Sequence, residues 1–199
     1  MLHWMLPSLN ATFITLIPKE EHSNMPDKFR PITLCNVIYK IISKVIASHV
    51  KPLLLMLISP EQSSYVEGRQ IMDGIILTHE IIHSLKHHKK SGMLLKIDLS
   101  KAFDKISWTY MQSILTAFGF SPVWVRWIMS LISSGFFSIL VNGIPSSPFQ
   151  PSRGIRQGDP LSPFLFVLMA EGLGRSIKHV LQENQLRGIS LHNSPAITH

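Results

Sequence analysis

Residues Leu161–Leu181 carry so little polarity in their first half that a helix built from them must be buried on nearly all sides. No other feature limits the fold as much, because such a helix needs further elements wrapped around it. Its start is signalled by Asp159-Pro160, an acceptor side chain followed by a residue whose fixed φ suits a first helical turn. The chain has material for the wrapping. Its 199 residues suffice for one domain with a real core, or for two small lobes. With 45% hydrophobic and 16% charged residues it is a folding sequence.

The remaining elements alternate in type. Thr12–Ile17 suggest a short strand, and Phe29-Arg30-Pro31-Ile32 begin a second extended piece. Val37–Val50 read as a helix, with Ile38, Ile41, Ile42, Val45 and Ile46 at helical spacing and Lys40, Lys44 and Lys51 opposite. Pro52 kinks this helix or starts a new one. A loop over Ser59–Arg69 leads to a helix over Ile71–Lys86. Met93–Leu99 read as a strand, Phe103–Phe118 as a helix ended by Gly119, and Val123–Ile132 as another helix. Phe136–Val141 alternate as a strand into the Asn142-Gly143 turn, with a return strand through Phe149 to Arg153. Gly188–Leu191 suggest a last short strand. The pattern is α/β or α+β, with helices packed on an antiparallel sheet and no obvious internal boundary.

Lys and Arg number 19 against 12 acids, for a net charge of +7. Two readings stand: a polyanionic partner such as nucleic acid, or a basic protein without one. Cys35 is the single cysteine, so no disulfide forms within the chain, and no Cys cluster supports zinc. The opening residues lack the features of a signal peptide. The longest apolar runs, such as Leu53–Ile58, fall far short of the roughly 20 residues a membrane span needs. Nucleus or cytoplasm is the expected location, with no secretion and no membrane partner.

Three places can carry chemistry. Asp98 ends an apolar strand just before a turn into a helix, a rigid place for a metal ligand. On local pattern alone, capping the coming helix is the better reading. Asp104, in the first helical turn, complements the helix dipole. In Arg153-Gly154-Ile155-Arg156-Gln157-Gly158-Asp159-Pro160, two glycines allow close backbone approach and two arginines flank them. That suits a nucleotide or a nucleic-acid backbone; the alternative is a Gly/Pro-rich connection with solvated arginines. Lys19 and Arg30 edge the two front strands and either grip a triphosphate or stand as ordinary surface cations. The Lys40, Lys44, Lys51 stripe either tracks phosphates or is the wet face of its helix.

In this order the segments resemble LINE-type non-LTR retrotransposon reverse transcriptases, those of plants especially. The matching strings are Thr15-Leu16-Ile17-Pro18-Lys19, Phe29-Arg30-Pro31-Ile32-Thr33-Leu34-Cys35-Asn36, Tyr39-Lys40-Ile41-Ile42-Ser43-Lys44 and Gly68-Arg69-Gln70-Ile71. Lys96-Ile97-Asp98-Leu99-Ser100-Lys101-Ala102-Phe103-Asp104, Val141-Asn142-Gly143 and the run from Arg153 to Pro163 complete the set. The resemblance runs from about residue 10 to the end. It implies a right-hand polymerase, fingers-rich over 10–92 and palm-rich over 93–199, that copies an RNA template onto a DNA primer from dNTPs. Asp98 would be the first ligand of a two-ion Mg²⁺ site, helped by the Leu99 carbonyl. Phe103 would be the steric gate against the 2′-OH. Lys19 and Arg30 would hold the triphosphate, and Gln157 and Gly158 would line the dNTP pocket. Lys40, Lys44, Arg69, Arg153 and Arg156 would meet nucleic acid.

The family's Asp-Asp motif does not occur in these 199 residues, nor do a thumb or an upstream endonuclease. One carboxylate cannot hold two Mg²⁺ ions against their repulsion, so the chain alone is expected to polymerise poorly or not at all. An open sheet edge should also leave apolar surface exposed. Two other functions are weighed: a catalytically dead nucleic-acid-binding fragment, and a group II intron maturase-like protein. The Phe-Arg-Pro-Ile-Thr-Leu-Cys-Asn and Arg-Gln-Gly-Asp-Pro-Leu-Ser-Pro strings lean towards LINE elements over maturases.

Overall fold

A computed structural model describes residues 7–189. The elements are β1 (Thr12–Pro18), β2 (Phe29–Cys35), α1 (Val37–Val50), α2 (Leu54–Leu57), α3 (Ile71–His87), α4 (Ala102–Lys105), α5 (Trp108–Ala117), α6 (Pro122–Ser133), β3 (Phe137–Val141), β4 (Ile144–Pro145) and α7 (Ser162–Gln182). They form two compact units that each draw on two stretches of chain. The first takes residues through Val50 and Lys101–Phe166; the second takes Lys51–Ser100 and the residues from Val167 on.

The first unit holds the sheet, ordered β2-β1-β3-β4. The fold is α/β as expected, but the sheet is mixed. β1 pairs antiparallel with β2, Thr12 opposite Cys35, and parallel with β3, Thr12 opposite Phe137. Pro31 lies on β2, an edge strand, where a missing N–H costs no ladder bond. Asn142 and Gly143 both have positive φ, 51° and 80°, the turn that matches strand twist. The expected return strand to Arg153 shrinks to Ile144–Pro145 and one bridge, Phe137 to Phe149. Pro145, Pro148 and Pro151 remove three ladder donors from that stretch.

Helices α1, α5 and α6 supply much of this unit's core: Tyr39, Ile46, Met111, Leu115, Ile128 and Leu131 are buried. α1 buries Tyr39, Ser43, Ile46, Ala47 and Val50, while Ile38, Ile41 and Val45 stay exposed. Both stripes have helical spacing, and the buried one is rotated by a residue from the expected one. The single helix expected over Phe103–Phe118 is two. After α4 the chain turns extended at Ile106, and the Ser107 hydroxyl caps α5 by accepting from the Tyr110 N–H at 3.4 Å.

In the second unit α3 forms as expected and buries no residue fully. The loop before it is fixed by charged side chains. Arg69 donates to the carbonyls of Ile58, Ser59 and Gln62 at 3.0, 2.5 and 2.7 Å. The buried Glu171 of α7 accepts from the Ser59 N–H and hydroxyl at 3.0 and 2.6 Å. Met93–Leu99 correct a further expectation: they form no strand, and every residue from 91 to 100 is exposed. A β-strand exists only with a partner, and among the described residues none pairs with this segment.

Candidate functional site

The first unit pins the loop after β4 to α4 by its backbone. The Gly154 N–H donates to the Ile106 carbonyl at 2.8 Å, and the Ile155 N–H to the Phe103 carbonyl at 2.9 Å. The Trp108 indole N–H donates to the Gly154 carbonyl at 2.8 Å. Gly154 has φ +88°, and a Cβ there would lie 2.9 Å from the Asp104 carbonyl oxygen, so only glycine fits this approach. On the other side, the Thr33 N–H and hydroxyl of β2 both donate to the Gln157 carbonyl, at 2.9 and 2.5 Å. The Gln157 amide then reaches Asp104 Oδ1 at 3.4 Å.

These bonds set Phe103 beside Ile155 and Asp104 beside Gln157, while Gly158 lies against Thr33 of β2. Phe103 stacks on Phe166 with ring centres 5.0 Å apart and planes at 17°. A cleft of about 300 Å³ opens beside the loop, lined by Pro31, Thr33, Asp104, Arg153, Gly154 and Gln157 among others. It has apolar walls, amide and carboxyl groups, and a half-turn of backbone that lacks a side chain. That mixture suits a small polar ligand with a flat apolar part.

Beneath the cleft lies a buried polar cluster. Asp159 is 3% exposed. It accepts from the Ser43 hydroxyl of α1, and from the Ser162 N–H and hydroxyl at 3.1 and 3.0 Å. Ser43 in turn accepts from the Leu161 N–H at 3.2 Å. Burial pushes the Asp159 carboxyl up from its ordinary value; the Ser43 and Ser162 hydrogen bonds and the Arg156 charge oppose the shift. The Arg156 guanidinium is sandwiched between Tyr39 and Phe137, 4.2 and 4.8 Å from the ring centres. It donates to the Thr12 hydroxyl at 3.2 Å.

Arg156 is therefore no surface phosphate contact. At 4% exposure it is a core cation held by ring faces. Arg69 is likewise occupied by three loop carbonyls. Arg153 is exposed at the cleft. Lys40 and Lys44 are exposed on α1. Arg30 stands opposite Ile17, with Lys19 two residues further on, so both cations leave the same end of the β1–β2 hairpin. Lys19 donates to the Asp27 carbonyl at 3.0 Å. Sequence reasoning missed Thr33, Ser43, Phe166 and the Tyr39–Phe137 sandwich. Only Ser162, three residues after Asp159, gave a readable capping signal.

Asp98 and Leu99 lie in the second unit on the exposed unpaired segment, and among the described residues Asp98 has no hydrogen-bond or ion-pair partner. No three His, Cys, Asp or Glu side chains of the described residues converge on one point. One carboxylate and one carbonyl do not fit a two-ion Mg²⁺ clamp, which needs anionic ligands facing each other across the ions. No described helix is long and apolar enough to cross a membrane.

Comparison with known proteins gives the family. The family model for reverse transcriptase (RNA-dependent DNA polymerase) matches residues 17–190. The chain is 32% identical over 164 residues to the Transposon TX1 uncharacterized 149 kDa protein of Xenopus laevis, covering 82% of this chain and 12% of that protein. It is 28% identical over 170 residues to the Pol polyprotein of the type-2 retrotransposable element R2DM of Drosophila melanogaster, covering 85% of this chain and 16% of that one. An uncharacterized mitochondrial protein of Arabidopsis thaliana is 43% identical over 65 residues, 32% of this chain and 53% of that protein. The chain thus spans well under two-thirds of each of these relatives. It belongs to the reverse transcriptase family and is a domain of the kind found in the Pol proteins of non-LTR retrotransposons.

Proposed function

We propose that the cleft lined by Asp104 and Gln157, whose chain neighbours are Phe103 and Gly158, holds an incoming dNTP during RNA-directed DNA synthesis. The observation that supports this reading is the bonding of the 153–158 loop to the α4 segment, Gly154 to Ile106, Ile155 to Phe103 and Gln157 to Asp104. Reverse transcriptases act on a nucleic-acid template and dNTPs and are generally metal-dependent. In this chain the Phe103 ring would stand against the sugar and exclude a 2′-OH. Gly158, with no side chain, would let the base and sugar approach. Lys19 and Arg30 would meet the triphosphate from the hairpin end, Arg30 through a planar fork and Lys19 as a point charge. Lys40, Lys44 and Arg153 would contact phosphates of an RNA template and DNA primer, positioning the duplex without reading it. In the reaction a primer 3′-OH attacks the α-phosphorus and pyrophosphate leaves. The protein's share is placement and charge compensation.

Asp98 and the Leu99 carbonyl would be this chain's share of a metal site that its described residues do not complete. The further carboxylates of a Mg²⁺ pair are not among the described residues, so no step is derived through the ions. A second reading, nucleic-acid binding without synthesis, is favoured by the isolation of Asp98. Primer extension on an RNA template with Mg²⁺, in wild type and Phe103→Ala, tests the proposal, together with dNTP and rNTP titration of each. The expected result is that Phe103→Ala erases the preference for dNTP over rNTP. Equal affinity of the wild type for both nucleotides would overturn the assignment. Wild type that binds RNA but does not extend, with Asp98→Ala unchanged in RNA affinity, would establish the second reading.

A further inference from the structure

α3 carries histidines at positions 79, 83 and 87, each one helical turn from the next. All three are exposed. The His83 and His87 rings are stacked, with centres 6.3 Å apart and planes at 24°. Among the described residues their ring nitrogens have no hydrogen-bond partner. His88 differs: its Nδ1 bonds the Ser84 carbonyl at 2.8 Å, and its ring meets that of His87 edge-on at 4.9 Å.

The separation can be compared with what a shared ion requires. Metal–nitrogen bonds to imidazole are about 2.0–2.1 Å. With the ring centre roughly 1.1 Å behind the nitrogen, two imidazoles on one ion have centres about 5 Å apart at a tetrahedral angle and at most about 6.4 Å apart when opposed. The observed rings, face to face at 6.3 Å, do not yet aim two nitrogens at one point, and must turn edge-on to it with their centres at about 5 Å. Only side-chain rotation is needed, because α3 fixes the two Cα positions.

We propose that His83 and His87 chelate one late first-row divalent ion, Cu²⁺, Ni²⁺ or Zn²⁺, with water completing the shell. Imidazole suits these ions, whereas Mg²⁺ takes oxygen ligands, so the site is chemically separate from any polymerase metal. Water must complete the shell because no three His, Cys, Asp or Glu side chains of the described residues converge. His79-Glu80-Ile81-Ile82-His83 has the spacing of a zinc-hydrolase helix, but without a third protein ligand the site binds and does not hydrolyse. Lys86, Lys89 and Lys90 oppose a second cation and Glu80 favours one, so affinity follows the Irving–Williams order from a modest base.

The test is titration of the full chain with Ni²⁺, Zn²⁺ and Cu²⁺ by calorimetry in a non-coordinating buffer at fixed neutral pH. It compares wild type with His83→Asn, His87→Asn, His79→Asn and His88→Asn. All four positions are exposed, and far-UV circular dichroism checks that the helix persists. The expected result is one site weakened at least about tenfold by His83→Asn or His87→Asn, since each removes one of only two protein ligands. His79→Asn and His88→Asn should retain it, and millimolar Mg²⁺ should not compete. Electron paramagnetic resonance of the Cu²⁺ form should show hyperfine splitting from two imidazole nitrogens, falling to one in either variant. Wild-type affinity in both His83→Asn and His87→Asn would overturn the proposal, as would displacement by Mg²⁺ or loss on His79→Asn alone.

Discussion

Asp159 is the residue on which the site loop turns, and its chemistry is that of a carboxylate kept from water. It starts α7 by accepting from Ser162, and ties that start to α1 through Ser43. Burial raises its pKa from 3.8, against the hydrogen bonds and the nearby Arg156. The folded state therefore holds the proton more tightly than the unfolded chain. Stability falls as pH rises from about 3.8 through the raised value, and stays lowered above it. Asp159→Asn has no such proton to lose. Its melting temperature relative to wild type should climb across that window and then level, which thermal melts at several pH values would read. A pH-independent difference would mean that the carboxyl is not shifted. At this scale the turn residues were legible, because Gly154, Gly158 and Asp159-Pro160 announce backbone conformation locally. The fate of the two arginines was not. Arg153 and Arg156 look alike in sequence, and what buries one of them is Tyr39 and Phe137, more than a hundred and about twenty residues away.

Elements were legible where period and length agreed. The bounds of α1, α3, α6 and β3 fall within two residues of expectation. The buried face of α1 was not legible, since two apolar stripes compete and the sheet and the Ser43–Asp159 bond choose between them. Nor was the break between α4 and α5, where Ile106 accepts from Gly154 and so leaves the helical ladder. Met93–Leu99 have strand composition but no described partner, and composition cannot supply one. The β1–β2 hairpin allows a sharper test of the nucleotide reading. Lys19→Ala and Arg30→Ala lie on exposed ends, where surface substitutions change stability by roughly 0.5 kcal/mol or less. Each should instead weaken dNTP binding about tenfold or more, as expected for a lost charge-assisted contact of about 1.5–3 kcal/mol. Nucleotide titration beside a thermal melt separates the two effects. Unchanged binding in both variants would remove the hairpin from the site.

For the molecule as a whole, the net charge of +7 fits either a polyanion partner or none, and salt separates the two. If Lys40, Lys44 and Arg153 touch phosphates, the logarithm of RNA affinity should fall linearly with the logarithm of salt. The slope should become shallower by roughly 0.7–0.9 for each of the three replaced by alanine. Arg156→Met should leave that slope alone. The apolar side chains of Met93, Leu94, Leu95 and Ile97, together with Ile71, Met72 and Ile75 on α3, are exposed and mark surfaces prone to association. The parallel pairing of Thr12 with Phe137 has a consequence in time. β1 is one of two inner strands, yet one of its neighbours lies 125 positions later. At about 5–20 residues per second, a ribosome needs roughly 6–25 s to deliver that neighbour after the first strand. Until then the nascent chain can make only the β1–β2 hairpin, with one long edge open to whatever else in the cell offers a strand.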